Sequence, residues 1–286
     1  MKIITHSGHA HRDEFVAVSL LLGSRARSGQ AWATPIERRN PTLEELENPD
    51  VLCVDIGERF EVEKGNLDHH QLGRDEPPTC SITQVLRYLG IDLDLAREVW
   101  GWLAFSEMID SKGPGQTAQA FGFDREKMFA AMSPLEAYMI RLFQQEKVIE
   151  PGQELHKLMT GFGLSLLDGL TAMKERLELL DTSARVEQIE NLDVLVVDFI
   201  DPKESPAMAL ELWCKKHHSQ VAVVVSLDER EPGRSLFRRN DNKKIDFSRI
   251  EAAEGVRFAH KNGFVAKVAM EANWRELVAK SVVSVS

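Results

Sequence analysis

Short apolar runs bounded by polar loops mark both ends of the chain. Residues 2–5 and 50–57 are predicted to be buried strands, and the apolar run Phe15–Gly23 between them is predicted to be a largely buried helix. After residue 192 the pattern returns, with predicted strands at 193–199, 220–226 and 265–270 and a predicted edge strand at 234–240. Both regions therefore predict α/β folds.

The middle of the chain has a different pattern. Over residues 121–190 apolar positions recur at helical spacing beside charged faces, and no strand pattern interrupts them. A helix is also predicted at 93–110, stopped by the run Gly113-Pro114-Gly115. We therefore predict three parts, with a helical connector between two α/β domains: residues 1–115, 116–190 and 191–286.

Composition narrows the class of protein. The chain has 286 residues, 43% hydrophobic and 28% charged, which is typical of a soluble globular protein with room for two cores. Its formal net charge of -10 argues against a surface built to wrap duplex DNA, because such binding rests on phosphate neutralisation by Lys and Arg. Three cysteines without paired spacing predict a reducing cytoplasm, and no apolar run approaches the roughly 18 residues of a membrane span.

Histidines and carboxylates cluster in the loop after the first predicted strand. Within nine residues the loop contains His6, His9, His11, Asp13 and Glu14. Open α/β sheets bind ligands at the carboxyl ends of their strands, and imidazole and carboxylate are ordinary ligands of divalent transition metals. As a set the loop predicts a metal site, whereas any one of these histidines alone would more often be a satisfied loop or core residue.

Two later positions extend this prediction. Asp55 ends a predicted strand beside Gly57, a placement that suits a metal-bridging carboxylate as well as an ordinary loop cap. Asp68, His69 and His70 stand together after an apolar lead-in, where the alternative interpretation is a polar surface turn. These residues would join the histidine-rich loop if their strands lie side by side in a parallel sheet.

Charged residues elsewhere give weaker signals. Glu107 and Asp110 lie near the end of the predicted helix 93–110, where acidic groups oppose the helix dipole, so one of them is expected to bind a cation. Near the C-terminus, Arg238, Arg239 and His260 could line a face that contacts an anion, since arginine offers a planar fork for phosphate oxygens. A charged edge that discourages strand pairing explains these residues equally well.

The order of these motifs resembles the DHH phosphoesterase superfamily, which takes its name from the triplet present here as Asp68-His69-His70. Within it, the chain most resembles the group once called metal-dependent protein hydrolases, of the melanocyte-proliferating-gene type. The stretches that carry the resemblance are Thr5–Gly8 with His11, Asp13 and Glu14; Val54–Gly57; Leu67–Gln71; Phe258–His260; and Asn262–Phe264. The resemblance covers most of the chain.

This resemblance implies two divalent ions, typically Mn²⁺ with Mg²⁺ as the alternative. It places His6, His11 and Asp110 on one ion, Asp13 and His69 on the other, and Asp55 between the two. His70 would face the substrate or protonate the leaving group, and Asp68 would orient His69. Two ions about 3.5–4 Å apart can generate a bridging hydroxide and clamp the attacking and leaving oxygens at phosphorus.

Departures from the group's pattern leave some assignments open. Pyrophosphatase-like relatives carry a histidine near His9, so either His6 or His9 could be the ligand. After Gly263-Phe264 the group has a glycine-rich segment, whereas this chain has Val265-Ala266-Lys267. This departure leaves the identity of the substrate open.

The predicted architecture is a parallel-sheet metal-binding catalytic domain (1–115), the connector (116–190) and a smaller α/β substrate-binding cap domain (191–286), with the substrate between the two α/β domains. The predicted function is metal-dependent hydrolysis of phosphodiester bonds in nucleotides, oligonucleotides or nucleic-acid ends, as in an exonuclease. The alternatives are an inorganic pyrophosphatase or phosphomonoesterase, and a metal- or nucleotide-binding protein without turnover. The expected partner is a phosphate-containing small molecule or a short single-stranded nucleic acid, with no membrane partner and with self-association left open.

Overall fold

The computed structural model describes residues 1–30, 33–73, 75–130, 133–198, 206–217, 220–228 and 230–283. Residue 199, at the end of a predicted strand, lies outside these ranges. The chain forms two compact units, Met1–Thr171 and Ala172–Ser286, and the division falls within the long helix Glu154–Ser183. The functional division at residues 115 and 190 stays a prediction.

The first unit is built on a six-stranded sheet. Its strands are β1 (Lys2–Thr5), β2 (Ile36–Arg38), β3 (Val51–Val54), β4 (Phe60–Glu61), β5 (Asn66–Leu67) and β6 (Val148–Ile149). Across the sheet they lie in the order β4-β5-β3-β1-β2-β6, with four parallel inner strands and an antiparallel strand at each edge. Strands β1 and β3 are almost wholly buried, as expected for parallel strands covered by helices on both faces. The predicted parallel-sheet α/β fold is confirmed.

Eight α-helices of the described residues begin in this unit. They are α1 (Arg12–Arg27), α2 (Leu43–Leu46), α3 (Ser81–Tyr88), α4 (Leu93–Val99), α5 (Trp102–Ala120), α6 (Arg125–Ala130), α7 (Pro134–Gln145) and α8 (Glu154–Ser183). The single helix predicted over 93–110 was wrong, because α4 and α5 divide that stretch. Within α5, Gly113 has φ 78° and ψ 167°, so the helical path breaks there as predicted, and Pro114 starts the next turn.

The core of the first unit depends on a close crossing of two helices. Leu20, Leu21 and Leu22 of α1 are buried, and α8 passes next to the same stretch. A Cβ atom on Gly163 of α8 would lie 1.7 Å from the Ser19 carbonyl oxygen, and one on Gly23 would lie 2.3 Å from the Leu164 nitrogen. The two backbones therefore touch, and only glycine fits at either position.

The second unit contains a second six-stranded sheet. Its strands are β7 (Ala184–Ile189), β8 (Leu192–Val197), β9 (Val223–Leu227), β10 (Gly233–Arg238), β11 (Val256–Ala259) and β12 (Val265–Ala269), and its described helices include α9 (Pro206–His217) and α10 (Trp274–Lys280). The order across the sheet is β11-β12-β10-β9-β8-β7, in which only the β8–β9 pair is parallel. Phe247 and Ile250 lie in its core, and Gly263 makes the predicted turn with φ 64°.

Two predictions about strands were wrong. β10 was predicted to be an edge strand, yet it pairs with β9 on one side and with β12 on the other. The region predicted to be free of strands, 121–190, contains both β6 and β7. β6 has only two residues and β7 directly follows the long helix α8, so neither gives a clear periodic signal. No helix among the described residues is long and apolar enough to cross a membrane.

Candidate metal centre

Three aligned strands deliver the candidate ligands to one edge of the first sheet. Thr5 of β1 is in register with Val54 of β3, and Val54 is in register with Leu67 of β5. The next residue along each parallel strand is His6, Asp55 or Asp68. Since the strands are adjacent and end at the same level, these three side chains begin side by side.

His6 directs one ring nitrogen at two carboxylates. Its Nδ1 lies 2.9 Å from the Ser7 carbonyl oxygen, to which a proton on that nitrogen would be donated. Its Nε2 lies 3.0 Å from a Glu14 oxygen and 3.4 Å from an Asp55 oxygen. Hydrogen bonds to Asp55 and Glu14 raise the pKa of His6 to about 11. The space next to Nε2 therefore favours a cation, which is a proton or a metal ion.

His69 shows the same feature at greater depth. This buried side chain places Nε2 2.8 Å from an Asp110 oxygen, 3.3 Å from an Asp55 oxygen and 4.0 Å from an Asp13 oxygen. Burial lowers the pKa of His69, but Asp110 and Asp55 raise it to about 10. Both His69 Nε2 and the Asp110 oxygen nearest to it are buried without a hydrogen bond of good geometry. Such atoms need a partner.

Buried carboxylates surround these nitrogens. Burial, and then the charges of Asp55 and Asp110, raises the pKa of Asp13 well above its usual range. Burial also acts to raise the pKa of Asp55, but hydrogen bonds from His6, His69 and Ser81 lower it below its usual range. The backbone of Asp55 has φ 59°, a left-handed conformation that is costly for most residues other than glycine and is often found at functional sites.

The geometry defines three groups whose ligand atoms lie within 4.8 Å of one another: Asp55, Asp68, His69 and His70; His6, His11 and Asp55; and His11, Asp13 and Asp110. Asp110 thus lies with His11 and Asp13, whereas the resemblance had placed it with His6 and His11. Among the described residues, no such group contains His9, which is exposed. The side chain that the structure brings to Asp55 is therefore that of His6.

Asp68 and His70 form a separate arrangement. The Asp68 carboxylate accepts the backbone N–H groups of Glu58 (2.6 Å), His69 (2.7 Å) and His70 (3.2 Å). It also lies 2.7 Å from Nδ1 of His70, whose pKa it raises. Asp68 therefore fixes the ring of His70, not the ring of His69 as predicted, because its carboxylate contacts His69 through the backbone N–H and His70 through the ring. The His70 ring stacks on His69 at 4.6 Å and is 54% exposed.

Two supporting residues, Ser81 and Arg38, were not predicted as part of the site, and Glu14 was predicted only as a member of the histidine-rich loop. Ser81, the first residue of α3, donates its hydroxyl hydrogen to Asp55 at 2.7 Å. Glu14 is fully buried and accepts hydrogen bonds from the Thr5 hydroxyl at 2.9 Å and from buried Arg38 at 3.2 Å. Glu14 could be recognised from its place in the histidine-rich loop, whereas the contacts of Ser81 and Arg38 with the site depend on segments far apart in the sequence.

Glu107, the other member of the predicted acidic pair, is not near the metal centre's histidines. It accepts hydrogen bonds from the Thr83 hydroxyl at 2.7 Å and from Arg97 at 2.8 Å. Arg97 therefore offsets the charge of Glu107, which lies inside α5 and not at a helix end. Of the pair, only Asp110 is a candidate metal ligand.

The donor set fits divalent ions. Imidazole nitrogens and carboxylate oxygens suit Mn²⁺ and other divalent transition metals. Several of these groups already have hydrogen-bond donors behind them, as Asp55 has Ser81, and these partners fix the orientation of a ligand. The unpartnered His69 Nε2 and Asp110 oxygen supply an independent reason to place a cation between them.

The residues predicted to bind substrate in the second unit are differently placed. Arg239 is buried and pairs with Glu211 at 2.5 and 2.8 Å, so its charge is already offset. Arg238 donates to the Ile245 carbonyl at 3.1 Å and lies 3.3 Å from Asp241. Nδ1 of His260 accepts the Asn262 N–H at 3.0 Å, and the ring packs on Phe264 at 4.2 Å between centroids. Within the second unit these residues stabilise turns at the end of the sheet.

Comparison with known families finds a match for the segment that holds most of the site. Residues 2–81 match the family model MYG1_exonuc, which is described as an uncharacterised protein family (UPF0160). The matched segment is less than a third of the chain and contains every candidate ligand except Asp110. No curated protein matches the sequence.

Solved structures give more distant similarities. The chain is 13% identical to a DHH-domain protein described as a member of the s1p family of ribosomal proteins, with a TM-score of 0.32 over 98% of this chain and 85% of that one. For RecJ from Thermus thermophilus in complex with Mn²⁺, the values are 15%, 0.27, 98% and 51%, so the chain spans about half of that protein. For a candidate family II inorganic pyrophosphatase from Methanococcus jannaschii they are 15%, 0.25, 98% and 99%. TM-scores of this size do not establish a shared fold.

Proposed function

We propose that the protein is a divalent-metal-dependent phosphoesterase of the DHH type, with its catalytic centre at the end of the first sheet. The observation that carries this proposal is the convergence of His6, His69, Asp13, Asp55 and Asp110, in which three carboxylates surround two imidazole nitrogens. A cluster of this composition is costly to bury unless cations occupy it. Metal ions are the partner that the donor types favour.

The residues divide into ligands and a group that faces the substrate. His6 and Asp55 with His11 would hold one ion, and Asp13 and Asp110 with His69 the second, with Asp55 near enough to His69 (3.3 Å) to serve both. Two divalent ions bound there supply positive charge and an activated water for an in-line displacement at phosphorus. Ser81 and Glu14 hold ligand side chains in position.

His70 is the proposed proton donor. Its ring is half exposed at the edge of the centre, and Asp68 fixes the orientation of that ring through Nδ1. The opposite nitrogen, Nε2, is therefore free to face solvent or substrate. Because Asp68 raises its pKa, His70 carries a proton more readily near neutral pH and can give it to the departing oxygen.

The proposed substrates are phosphodiesters of nucleotides, oligonucleotides or nucleic-acid ends. The name of the matched family model, which includes an exonuclease term, supports this substrate class over the segment 2–81. The net charge of -10 favours short or single-stranded substrates over duplex DNA. Arg238 and His260 remain proposed substrate contacts in the second unit, whereas Arg239 is committed to Glu211. Three free, buried cysteines are compatible with the proposed cytoplasmic location.

The direct test is hydrolysis by the purified chain with Mn²⁺. We expect turnover of a generic aryl phosphodiester, a dinucleotide or single-stranded RNA, and about a hundredfold loss in His70→Gln. His9→Gln is the matched control, because His9 is an exposed histidine of the same site region and should keep activity within about twofold. Absence of turnover on every phosphodiester would reject the proposal, as would equal activity losses in the two variants.

An inorganic pyrophosphatase or phosphomonoesterase was the enzymatic alternative, and its support was His9. That residue lies outside the three ligand groups, so the alternative has no structural observation in its favour. Release of orthophosphate from pyrophosphate, without cleavage of any phosphodiester, would nevertheless favour this alternative over the proposed phosphodiesterase. Tight nucleotide binding with no product after long incubation would instead indicate a binding protein.

A further inference from the structure

A second concave site lies in the first unit, apart from the candidate metal centre. It is a cavity of about 660 Å³ bounded by helices α1, α5, α7 and α8. Apolar side chains form most of its wall, including Phe15, Val16, Trp102, Met139, Ile140 and Phe162. No residue of the metal centre takes part, so the cavity has no role in the proposed hydrolysis.

The mouth of the cavity exposes large apolar side chains. Leu135 is 68% exposed, Leu158 45% and Phe162 38%, and all three line the same cavity. Single exposed leucines are common on protein surfaces, but large apolar residues from two helices that converge on one concavity mark a binding site. The volume lies within the range of about 300–1,000 Å³ that is usual for small-molecule sites.

The charged groups of the cavity neutralise each other. Arg12 and Glu136 form a two-pronged ion pair with N···O distances of 2.5 and 2.7 Å, and Arg12 also lies over the ring of Phe105 at 5.6 Å. An anionic ligand would have to compete with Glu136, and a cationic ligand with Arg12. A neutral ligand can use the apolar wall without breaking this pair.

We propose that this cavity binds a neutral, predominantly apolar small molecule. Burial of apolar ligand surface at about 25 cal/mol per Å² is the driving force, and the fixed helices of the wall provide a largely preformed shape. The occupant is a small molecule because four helices together line a volume of about 660 Å³, which is the size of a small-molecule site. The site goes beyond the proposed phosphoesterase activity and does not depend on it.

The test is a titration of the whole chain with Nile red, a neutral apolar dye whose fluorescence rises in apolar surroundings. Met139→Trp fills the cavity, and Leu158→Glu places a charge at an exposed position of its mouth, where folding should tolerate the change. Leu43→Trp, at a 76% exposed position on α2, is the matched control. Arg12 stands between His11 and Asp13, so unchanged Mn²⁺ binding in each variant checks that the nearby loop is intact.

We expect saturable binding of one dye molecule per chain, weakened about tenfold or more in Met139→Trp and Leu158→Glu and unchanged in Leu43→Trp. Dodecanol should displace the dye at lower concentration than dodecanoate or dodecyltrimethylammonium, since only the alcohol is neutral. Non-saturable dye binding, or equal affinity in all variants, would overturn the proposal. So would a wild-type dimer that these two variants convert to a monomer, because the cavity would then be covered by a second copy.

Discussion

The end of the first sheet and the basic turn of the second unit both concentrate charged residues, but they treat charge in opposite ways. Around Asp55, carboxylates crowd the Nε2 atoms of His6 and His69, and burial raises the pKa of Asp13. Around Arg239, the opposite charge is already present in Glu211 at 2.5 Å. The first arrangement is incomplete without a cation, and the second is complete.

This difference shows how charged residues that bind a ligand can be distinguished from those that form ion pairs within the protein. Residue type alone made Arg238 and Arg239 look as suitable for phosphate as His6 and Asp13 looked for metal. The charged neighbours of a residue distinguish the two cases. A buried charge that is already paired gains nothing by binding a ligand, whereas a cluster of like charges is stabilised by a ligand of opposite charge. Substitutions should therefore affect ligand binding in the first region and unfolding in the second.

The largest effect is expected from removal of divalent ions. Dialysis against a chelator should reduce hydrolysis about a thousandfold or more, because the proposed reaction has no other source of positive charge at phosphorus. Re-addition of Mn²⁺ at a hundred times its Kd should restore activity and raise the free energy of unfolding by about 2.7 kcal/mol for each ion bound. Thermal unfolding with and without Mn²⁺ provides the measurement. An identical Tm with and without Mn²⁺ would contradict the claim that the end of the first sheet, unlike the Arg239–Glu211 pair, needs an added cation.

The next effect concerns the completed charge pair. Arg239→Met should lower the free energy of unfolding by about 2 kcal/mol, since it removes a buried guanidinium whose partner Glu211 remains partly exposed. Chemical denaturation measures this change, and Mn²⁺ content should stay at the wild-type value. Arg230→Met, at an exposed position of the same unit, should cost about 0.5 kcal/mol or less. A stable Arg239→Met variant with weakened nucleotide binding would reverse our assignment of this residue.

A smaller effect is expected from a residue that positions a ligand. Ser81→Ala removes the hydroxyl that donates to Asp55 and should weaken Mn²⁺ binding about tenfold, while unfolding changes little. Isothermal titration with Mn²⁺ would show the shift. Ser111→Ala is the matched control, because the Ser111 hydroxyl donates to the Glu107 carbonyl of its own helix. Equal Mn²⁺ affinity in both variants would mean that Asp55 needs no such support.

The smallest effect belongs to a partly buried ion-pair network in the first unit. Glu45 contacts Lys2 at 2.7 Å and Arg39 at 2.7 Å, and the hydrogen bond from Arg39 is the main cause that lowers the pKa of Glu45. A lowered carboxylate pKa stabilises the fold above the ordinary value of about 4.3, and this contribution is lost as the pH falls below it. Glu45→Gln should therefore cost about 0.5 kcal/mol at neutral pH and nothing at strongly acidic pH. A pH-independent difference in denaturation would contradict this explanation.

The sequence predicted the parts of the fold that periodicity records. Apolar runs placed β1, β3 and α1, and the order of motifs placed His6, Asp55 and Asp68 at neighbouring strand ends, which the register of Thr5, Val54 and Leu67 explains. Short or edge elements such as β6 carried too few residues to show a period. The interior position of β10 depends on pairing with segments far along the chain, which alternation does not reveal.

The sequence predicted which residues form the candidate site, but not which of them lie together around one ion. Carboxylates and histidines in one loop identified the cluster, yet which ion each residue would hold depends on the first turn of α1 and on side-chain rotation, so Asp110 lies with Asp13 rather than with His6. The contact of Ser81 with Asp55 joins residues 26 positions apart. Burial of Arg239 against Glu211, 28 positions away, was likewise invisible in the local sequence.

Metal content in wild type and Asp55→Asn tests the central claim most directly. Asparagine tolerates the left-handed backbone of Asp55, so the variant should fold, and its circular dichroism and Tm without metal provide the check. After equilibrium dialysis against Mn²⁺, elemental analysis should find two ions per chain in wild type and one or none in Asp55→Asn. An unchanged metal content in the folded variant would contradict a shared carboxylate at this position, and with it the two-ion centre.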